Sequence, residues 1–235
     1  MSSFLKGENM TAGYGGGDII KNCSIDVRKG EIAVIVGPNG AGKSTAMKAI
    51  LGMIKLTNGK VSLNNNDITD FSPQDRVSEG IAFVPQTKNV FTGMTVQENL
   101  EMGAHLRKDN IGETISQIYD LFPVLKNKKR QLAGELSGGQ RQQVAVGRAM
   151  MTKPSALMLD EPTAGVSPIV MEELFERIIE IKRTGVAILI VEQNARQALS
   201  IADQGFVLVN GENRQQGSGK DLLSNPEVRK SFLGG

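Results

Sequence analysis

Cysteine and histidine occur once each in this chain, as Cys23 and His105, and tryptophan is missing. A lone cysteine excludes an internal disulfide and fits a reducing compartment, with inert burial its expected state. Long apolar runs are also missing. The longest, Val186 to Val191, is far too short to cross a bilayer, and Met1 to Met10 lacks the apolar core of a secretory leader. Any membrane role must therefore come through other chains. An excess of charge of one sign is absent too: 27 basic residues face 25 acidic ones, for a net +2. That balance leaves no nucleic-acid footprint, and the basic stretch Lys126 to Arg130 reads as a solvated loop. Finally, no Pro/Ser-rich linker and no internal repeat divides the 235 residues, so residues 1–235 are expected to share a core as one domain with lobes.

Glycine, by contrast, is plentiful and placed. Gly37-Pro38-Asn39-Gly40-Ala41-Gly42-Lys43-Ser44-Thr45 follows the β-branched run Ile32 to Val36 and precedes a helix-prone stretch, the context that a phosphate-binding loop requires. Its glycines allow a tight turn in which successive N–H groups point inward around β- and γ-phosphates. Lys43 adds a point charge, Ser44 offers a hydroxyl to Mg²⁺, and the positive end of the following helix faces the same phosphates. A nucleoside triphosphate, ATP with Mg²⁺, is the expected ligand.

A second apolar run, Ala156 to Leu159, ends in Asp160-Glu161 and looks like a buried strand delivering two carboxylates at its C-terminal end. The pair resembles a known nucleotide-site motif, and that resemblance implies that Asp160 is the acid that holds Mg²⁺ through its water shell, with Glu161 positioned to polarise the water attacking the γ-phosphate. Between the two motifs lies Leu136-Ser137-Gly138-Gly139-Gln140. Ser137 and the two glycines offer a hydroxyl and unshielded N–H groups at the start of a helix running to about Met151, a second surface suited to an anion.

This pentapeptide resembles the signature of the ATP-binding-cassette family, and the resemblance covers essentially the whole chain. It implies that the signature residues Ser137, Gly138, Gly139 and Gln140 of one subunit close over the nucleotide held by the phosphate loop of another. The second ATPase subunit would be a like or an unlike chain. It further implies that Tyr14 stacks on adenine and that Gln86, in Phe83-Val84-Pro85-Gln86, contacts Mg²⁺ or water and senses the transporter. Two positions depart from the family pattern. Gln193, in Glu192-Gln193-Asn194, occupies the place of a histidine against the γ-phosphate, and Ser167 stands where an aspartate is usual. Glutamine donates a hydrogen bond but cannot become a cation.

The expected fold class is α/β: a P-loop (RecA-like) nucleotide-binding core with an antiparallel β lobe and an inserted helical signature lobe. Strands are read at Ile32–Val36, Ile81–Val84, Ala156–Leu159, Ala187–Val191 and Phe206–Val209, with a helix near 169–183 burying Met171, Leu174, Phe175 and Ile178. Turn signals in residues 1–30 and 57–72 suggest the small antiparallel sheet. Residues 87 to about 150, with helical patterns at Val96 to Leu106 and Gly112 to Leu121, interrupt the alternation as the helical lobe.

The stretch Phe91 to Leu100, Glu192-Gln193-Asn194 and the ending Phe232-Leu233-Gly234-Gly235 together look like ATP-binding subunits of branched-chain amino acid importers. That resemblance implies a place at the cytoplasmic face of the inner membrane, peripheral to integral permease subunits, with a substrate-binding protein as an indirect partner. A docking surface for the permease is expected at Val90 to Val96. Related subunits serve urea, amide and other amino acid importers. A soluble cassette switch would need a second cassette or a coiled-coil insertion, and a metabolic kinase would carry an acceptor lid in place of the signature.

Overall fold

Two hydrophobic patterns sort the strands into two sheets in the computed structural model, which describes residues 3–232. Half-buried strands with alternating patterns form the first, antiparallel sheet: β1 (Leu5–Gly13), β2 (Asp18–Val27), β4 (Leu56–Leu63) and the short β5 (Asn66–Asp67), in the order β2-β1-β4-β5. Continuous apolar runs form the second: β3 (Ile32–Val36), β6 (Ile81–Val84), β7 (Ala156–Asp160), β8 (Ala187–Val191) and β9 (Gln204–Val209), all parallel, with β10 (Glu212–Gly217) pairing antiparallel at one edge. The order is β10-β9-β3-β8-β7-β6.

Burial explains the runs. Along β3, Ile32, Val34 and Val36 enter one hydrophobic core, and Ala33 and Ile35 enter another on the opposite face. A parallel strand covered on both faces has no solvent side to mark with polar residues. The second core is closed by the antiparallel sheet and by α1 (Lys43–Ile50). The first is closed by the helices between β6 and β7 and by α7 (Pro168–Arg183), whose Met171, Leu174, Phe175 and Ile178 are buried as the spacing predicts.

Between β6 and β7 come α3 (Val96–Gly103), α4 (Gly112–Leu121), α5 (Pro123–Asn127), a three-ten turn at Ala133–Glu135, and α6 (Gly138–Met150). The helical pattern expected to reach Leu106 stops at Gly103, and the basic stretch at 126–130 begins inside α5 instead of lying wholly in a loop. Asn89 donates to the Gln142 side chain at 2.7 Å, and the Arg148 guanidinium stacks 4.7 Å from the centre of the Phe91 ring. Both ties join the segment leaving β6 to α6. Cys23 is fully buried, and burial pushes its thiol up to about 12, as expected of an inert core residue.

One buried charge closes a helix end. In α2 (Pro73–Ser78), the Arg76 guanidinium is 2% exposed and donates to the carbonyls of Ala49, Ile50, Phe71 and Thr69, closing the C-terminal end of α1. The last helical carbonyls, which have no intrahelical donor, thereby gain a cation. The chain after β8 forms α8 (Ala195–Ile201), and the C-terminal part adds α9 (Gly219–Ser224) and α10 (Pro226–Phe232). Of the ending that resembles the importer subunits, Leu233 to Gly235 lie outside the described residues.

Candidate nucleotide site

Four neighbouring strands, β6, β7, β8 and β3, bring their C-terminal ends together; β3 and β7 lead into the cleft, and β6 and β8 into the residues that hold Glu161 on its wall. That is where open parallel sheets place ligands, because loops there leave the sheet in different directions. From β3 the chain enters the loop 37–42. Gly37 has φ 150°, and a side chain there would run into the Leu208 carbonyl; Gly42, at φ 93°, is the left-handed residue from which α1 starts. No acidic side chain occupies the first turn of α1. Its free N–H groups and Lys43 therefore face the loop as an anion cradle.

The cleft measures about 510 Å³ and is lined by Asn39, Gly40, Ala41, Gly42, Lys43, Ser44 and Thr45, with Ile19 and Glu161 completing its wall. Lys43 folds back over the loop, donating to the carbonyls of Gly37 at 2.9 Å and Pro38 at 3.1 Å. Burial lowers its pKa, and the carboxylates of Glu161, Asp160 and Glu192 oppose that shift. A larger cleft of about 660 Å³ lies elsewhere, between α4 and the end of α7, and is lined mainly by apolar groups such as Ile118, Leu121, Met150 and Val186.

At the end of β7, Asp160 accepts a 3.0 Å hydrogen bond from the Ser44 hydroxyl. Burial raises its pKa, the Ser44 bond opposes this, and the neighbouring Glu161 carboxylate adds to it. The hydroxyl, the carboxylate and the carbonyl of Gln86 are hard oxygen donors, suited to Mg²⁺. Among the described residues no group of three or more His, Cys, Asp or Glu converges as a metal cage. A cation here would rely on few protein ligands, as Mg²⁺ does when phosphates and water complete its shell.

Glu161 has φ 47°, a left-handed backbone that a non-glycine residue adopts at a cost of about 1–2 kcal/mol. Its N–H is held by the Val191 carbonyl at 2.9 Å. Two amides grip its carboxylate: Gln86 Nε2 donates at 2.6 Å, and Gln193 Nε2 lies 3.1 and 3.0 Å from the two oxygens. Gln86 arrives from beyond β6 and Gln193 from the end of β8, so three separate segments meet on one carboxylate.

Tyr14 stands apart from that cluster. It is 59% exposed, in the turn between β1 and β2, with the Lys48 ammonium 6.0 Å from its ring centre. A free aromatic face near α1 is what stacking requires, and the ring is not committed to the core.

The pentapeptide 136–140 lines none of the cleft beside Lys43. Ser137 caps α6, accepting from the Gln140 N–H at 3.3 Å while its own N–H donates to the Gln140 side chain at 3.2 Å. Ser137 and Gly138 are exposed, and no acidic residue occupies the first turn. Gly139 is buried: a side chain there would run into Val170 of α7, a packing duty that the sequence did not disclose. The loop from Ala164 to Ser167 is adjacent, with the Gly165 carbonyl 3.8 Å from where a Gly138 side chain would begin. Ser167 ends it as the N-cap of α7.

Sequence reasoning gave no role to Glu192, which is 2% exposed at the end of β8. Burial raises its pKa against hydrogen bonds from Thr163 and Gln193. Its signal was a carboxylate directly after an apolar strand, the arrangement already read as meaningful at Asp160.

A family model described as ABC transporter matches residues 20–164, from β2 through the loop, the pentapeptide and the paired carboxylates. The chain belongs to that family. It is an ABC ATPase, and ATP is its nucleotide. The cassette is 39% identical to the high-affinity branched-chain amino acid transport ATP-binding protein BraG of Pseudomonas aeruginosa, over 98% of this chain and 100% of the relative. It is 40% identical to a probable branched-chain amino acid transport ATP-binding protein, LivF, of Archaeoglobus fulgidus, over 98% of each chain. A solved nucleotide-free ATP-binding cassette from an ABC transporter superposes with a TM-score of 0.88 at 33% identity, covering all of both chains. A dimeric cassette in a post-hydrolysis state, bound to ADP and Pi, gives 0.81 at 25% identity over 92% of this cassette and 98% of that one.

Among the described residues, no helix of this cassette is long and apolar enough to cross a membrane.

Proposed function

We propose that this cassette hydrolyses Mg-ATP as one half of an ATPase dimer, on the cytoplasmic face of the inner membrane, and powers permease subunits that import branched-chain amino acids. The observation that carries the catalytic part is the Glu161 carboxylate, held by Gln86 and Gln193 on the wall of the cleft that contains Lys43. The loop 37–45 cradles the phosphates, with Lys43 exchanging its loop carbonyls for phosphate oxygens, and Tyr14 stacks on adenine. Ser44, Asp160 and Gln86 would hold Mg²⁺, which would supply neutralisation of charge on the phosphates. Glu161 orients and polarises the attacking water, and Gln193 fixes that carboxylate and donates toward the γ-phosphate.

Ser137, Gly138, Gly139 and Gln140 serve the nucleotide of the other subunit. Their separation from this chain's own cleft and the exposure of Ser137 and Gly138 support that reading. Exposed Phe91, Met102, Leu106 and Leu132 in the inserted segment, of which Met102 alone stands on a helix, offer apolar side chains to a permease. The assignment of branched-chain amino acids follows the relatives' names and the shared sequence; a substrate-binding protein would deliver them to the permeases. Residues 1–235 make up one ATP-binding domain with the helical lobe near 87–150.

Glu161→Gln is the direct test. It keeps the shape of the side chain, so ATP should bind and hold a closed dimer on size-exclusion chromatography with turnover reduced at least about 10²-fold. Turnover within a few-fold of the parent would remove Glu161 from the catalytic role. With permeases and binding protein reconstituted in vesicles, leucine should raise ATP turnover and urea should not; the reverse would overturn the cargo.

A further inference from the structure

Glu192 makes no ion pair among the described residues, although it is almost wholly buried. Its oxygens are committed instead to two pieces of backbone. Oε1 accepts from the Thr163 N–H at 3.0 Å and the Thr163 hydroxyl at 2.7 Å, and Oε2 accepts from the Gln193 N–H at 3.1 Å. Thr163 follows Glu161 by two residues, through buried Pro162, and Gln193 is the residue whose amide grips Glu161. The carboxylate of Glu192 is thus the shared anchor of both partners in the Gln193–Glu161 contact.

A buried carboxylate without a cation is expensive unless its hydrogen bonds are good, and charge-assisted bonds are stronger than neutral ones. Glu161 also stands in a left-handed conformation that its own side chain does not favour. Something must over-determine that geometry; the Val191 carbonyl fixes its N–H and the Ala164 N–H its carbonyl, and neither tie reaches the side chain. We propose that Glu192 is a positioning residue for ATP hydrolysis: by fastening Thr163 and Gln193 to one buried carboxylate, it keeps the Glu161 carboxylate and the Gln193 amide in register at the γ-phosphate. This rests on the proposed role of Glu161. Binding energy for the nucleotide comes from the loop after β3, to which the Glu192 side chain makes no hydrogen bond; its N–H donates to the Ile35 carbonyl of β3 at 3.1 Å and its charge reaches Lys43 only through space, so its loss acts chiefly on turnover.

The test uses the full chain, with ATP hydrolysis followed against ATP concentration and a fluorescent ATP analogue reporting binding. Thr163→Val removes one hydrogen bond while keeping shape and N–H; Thr163→Ser keeps the hydroxyl; Glu192→Gln turns an acceptor into a donor facing other donors. Misplacement of a catalytic group by about 1 Å costs on the order of 10²-fold. The expected kcat losses are therefore about 10-fold for Thr163→Val and up to about 10²-fold for Glu192→Gln, with KM and analogue affinity within about 2-fold. Thr163→Ser should stay near the parent, and the double variant Thr163→Val/Glu192→Gln should be no slower than Glu192→Gln alone. Should Glu192→Gln fail to fold, the Val and Ser pair at 163 decides the matter. Parental kcat in both Thr163→Val and Glu192→Gln, or losses of kcat and affinity in parallel that serine does not rescue, overturn the proposal. Glu161→Gln, run alongside, separates the two failures. If it keeps turnover, the role of Glu161 falls and this proposal with it; if it is dead while the others are parental, only the role of Glu192 falls.

Discussion

Gly139 of α6 packs directly against Val170 of α7, leaving no room for a Cβ, whereas its neighbour Gly138 has its nearest obstacle, the Gly165 carbonyl, 3.8 Å away. The two glycines of the signature therefore answer to different constraints, and only one position tests anion binding cleanly. Gly138→Asp puts a negative charge at the first turn of α6, where it favours the helix. Binding of ATP by the isolated chain should stay within a few-fold, while hydrolysis in the dimer should fall at least about 10²-fold through repulsion of the facing γ-phosphate. Loss of nucleotide binding by the monomer would mean that the signature acts within its own chain. Gly139→Ala should instead lower stability by about 1–3 kcal/mol through overpacking.

Asp160 gives the site a pH signature. Its pKa is raised in the folded chain, first by burial, so the folded form holds a proton that the unfolded form releases. Its contribution to stability is complete below about pH 4 and is lost as pH rises through the folded value. Asp160→Asn is neutral throughout and keeps an acceptor for Ser44. Without nucleotide, urea unfolding should find this variant more stable than the parent at pH 8, with the gap narrowing toward pH 4. Mg²⁺-dependent ATP binding should weaken in the same variant. A gap that does not change with pH would rule out charge burial at Asp160 as the cause.

Gln193 touches both oxygens of Glu161. Alanine there leaves only Gln86 to orient the carboxylate. Turnover should then fall by about 10²-fold and ATP affinity much less, because the lost contact matters most where charge redistributes. Gln193→His should retain activity or raise it, since an imidazole N–H replaces the amide donor. Both variants belong in the assembled transporter, where kcat and KM at this chain's own site can be compared. Parental turnover in Gln193→Ala would make the side chain a bystander.

Arg76 offers a stability test far from the chemistry. Its guanidinium satisfies four carbonyls, two of them the last of α1. Arg76→Met fills part of the volume but orphans the carbonyls of Ile50, Phe71 and Thr69, while that of Ala49 keeps the Gly52 N–H, so unfolding free energy should drop by about 3 kcal/mol or more, and the melting temperature by about 6–12 °C. Nucleotide affinity should fall only as far as α1 frays. A melting point within 2 °C, about the shift that a fraction of one kcal/mol produces, would show that water replaces the guanidinium at little cost.

The sheet was legible because its parallel strands are buried on both faces: Ile32–Val36 and Ala187–Val191 announce themselves as unbroken apolar runs, and the structure keeps both sets of bounds. β10, Glu-Asn-Arg-Gln-Gln-Gly, was not legible, since an edge strand paired on one side can be polar throughout. The short helices α8 to α10 offer too few turns for a periodic pattern. Within the site, the glycine loop and Asp160-Glu161 could be read locally, because each motif carries its own geometry. The grip of Gln86 and Gln193 on Glu161 joins residues 75 and 32 positions apart, and Glu192 finds Thr163 across 29. Such pairs exist only once the strand order β6-β7-β8 has set their ends side by side. The same holds for Gly139, whose local reading as an exposed N–H donor omitted a contact made on another helix.

The ties from Asn89 to Gln142 and from Phe91 to Arg148 have a mechanical meaning. They join the stretch just beyond Gln86 to the body of α6, whose first turn holds Ser137 and Gly138. The exit and the return of the inserted helices are thereby riveted together, and a close-packed interior transmits displacement with little give. A push on the exposed ring of Phe91 therefore meets α6 at Arg148, near the end of that helix opposite Ser137.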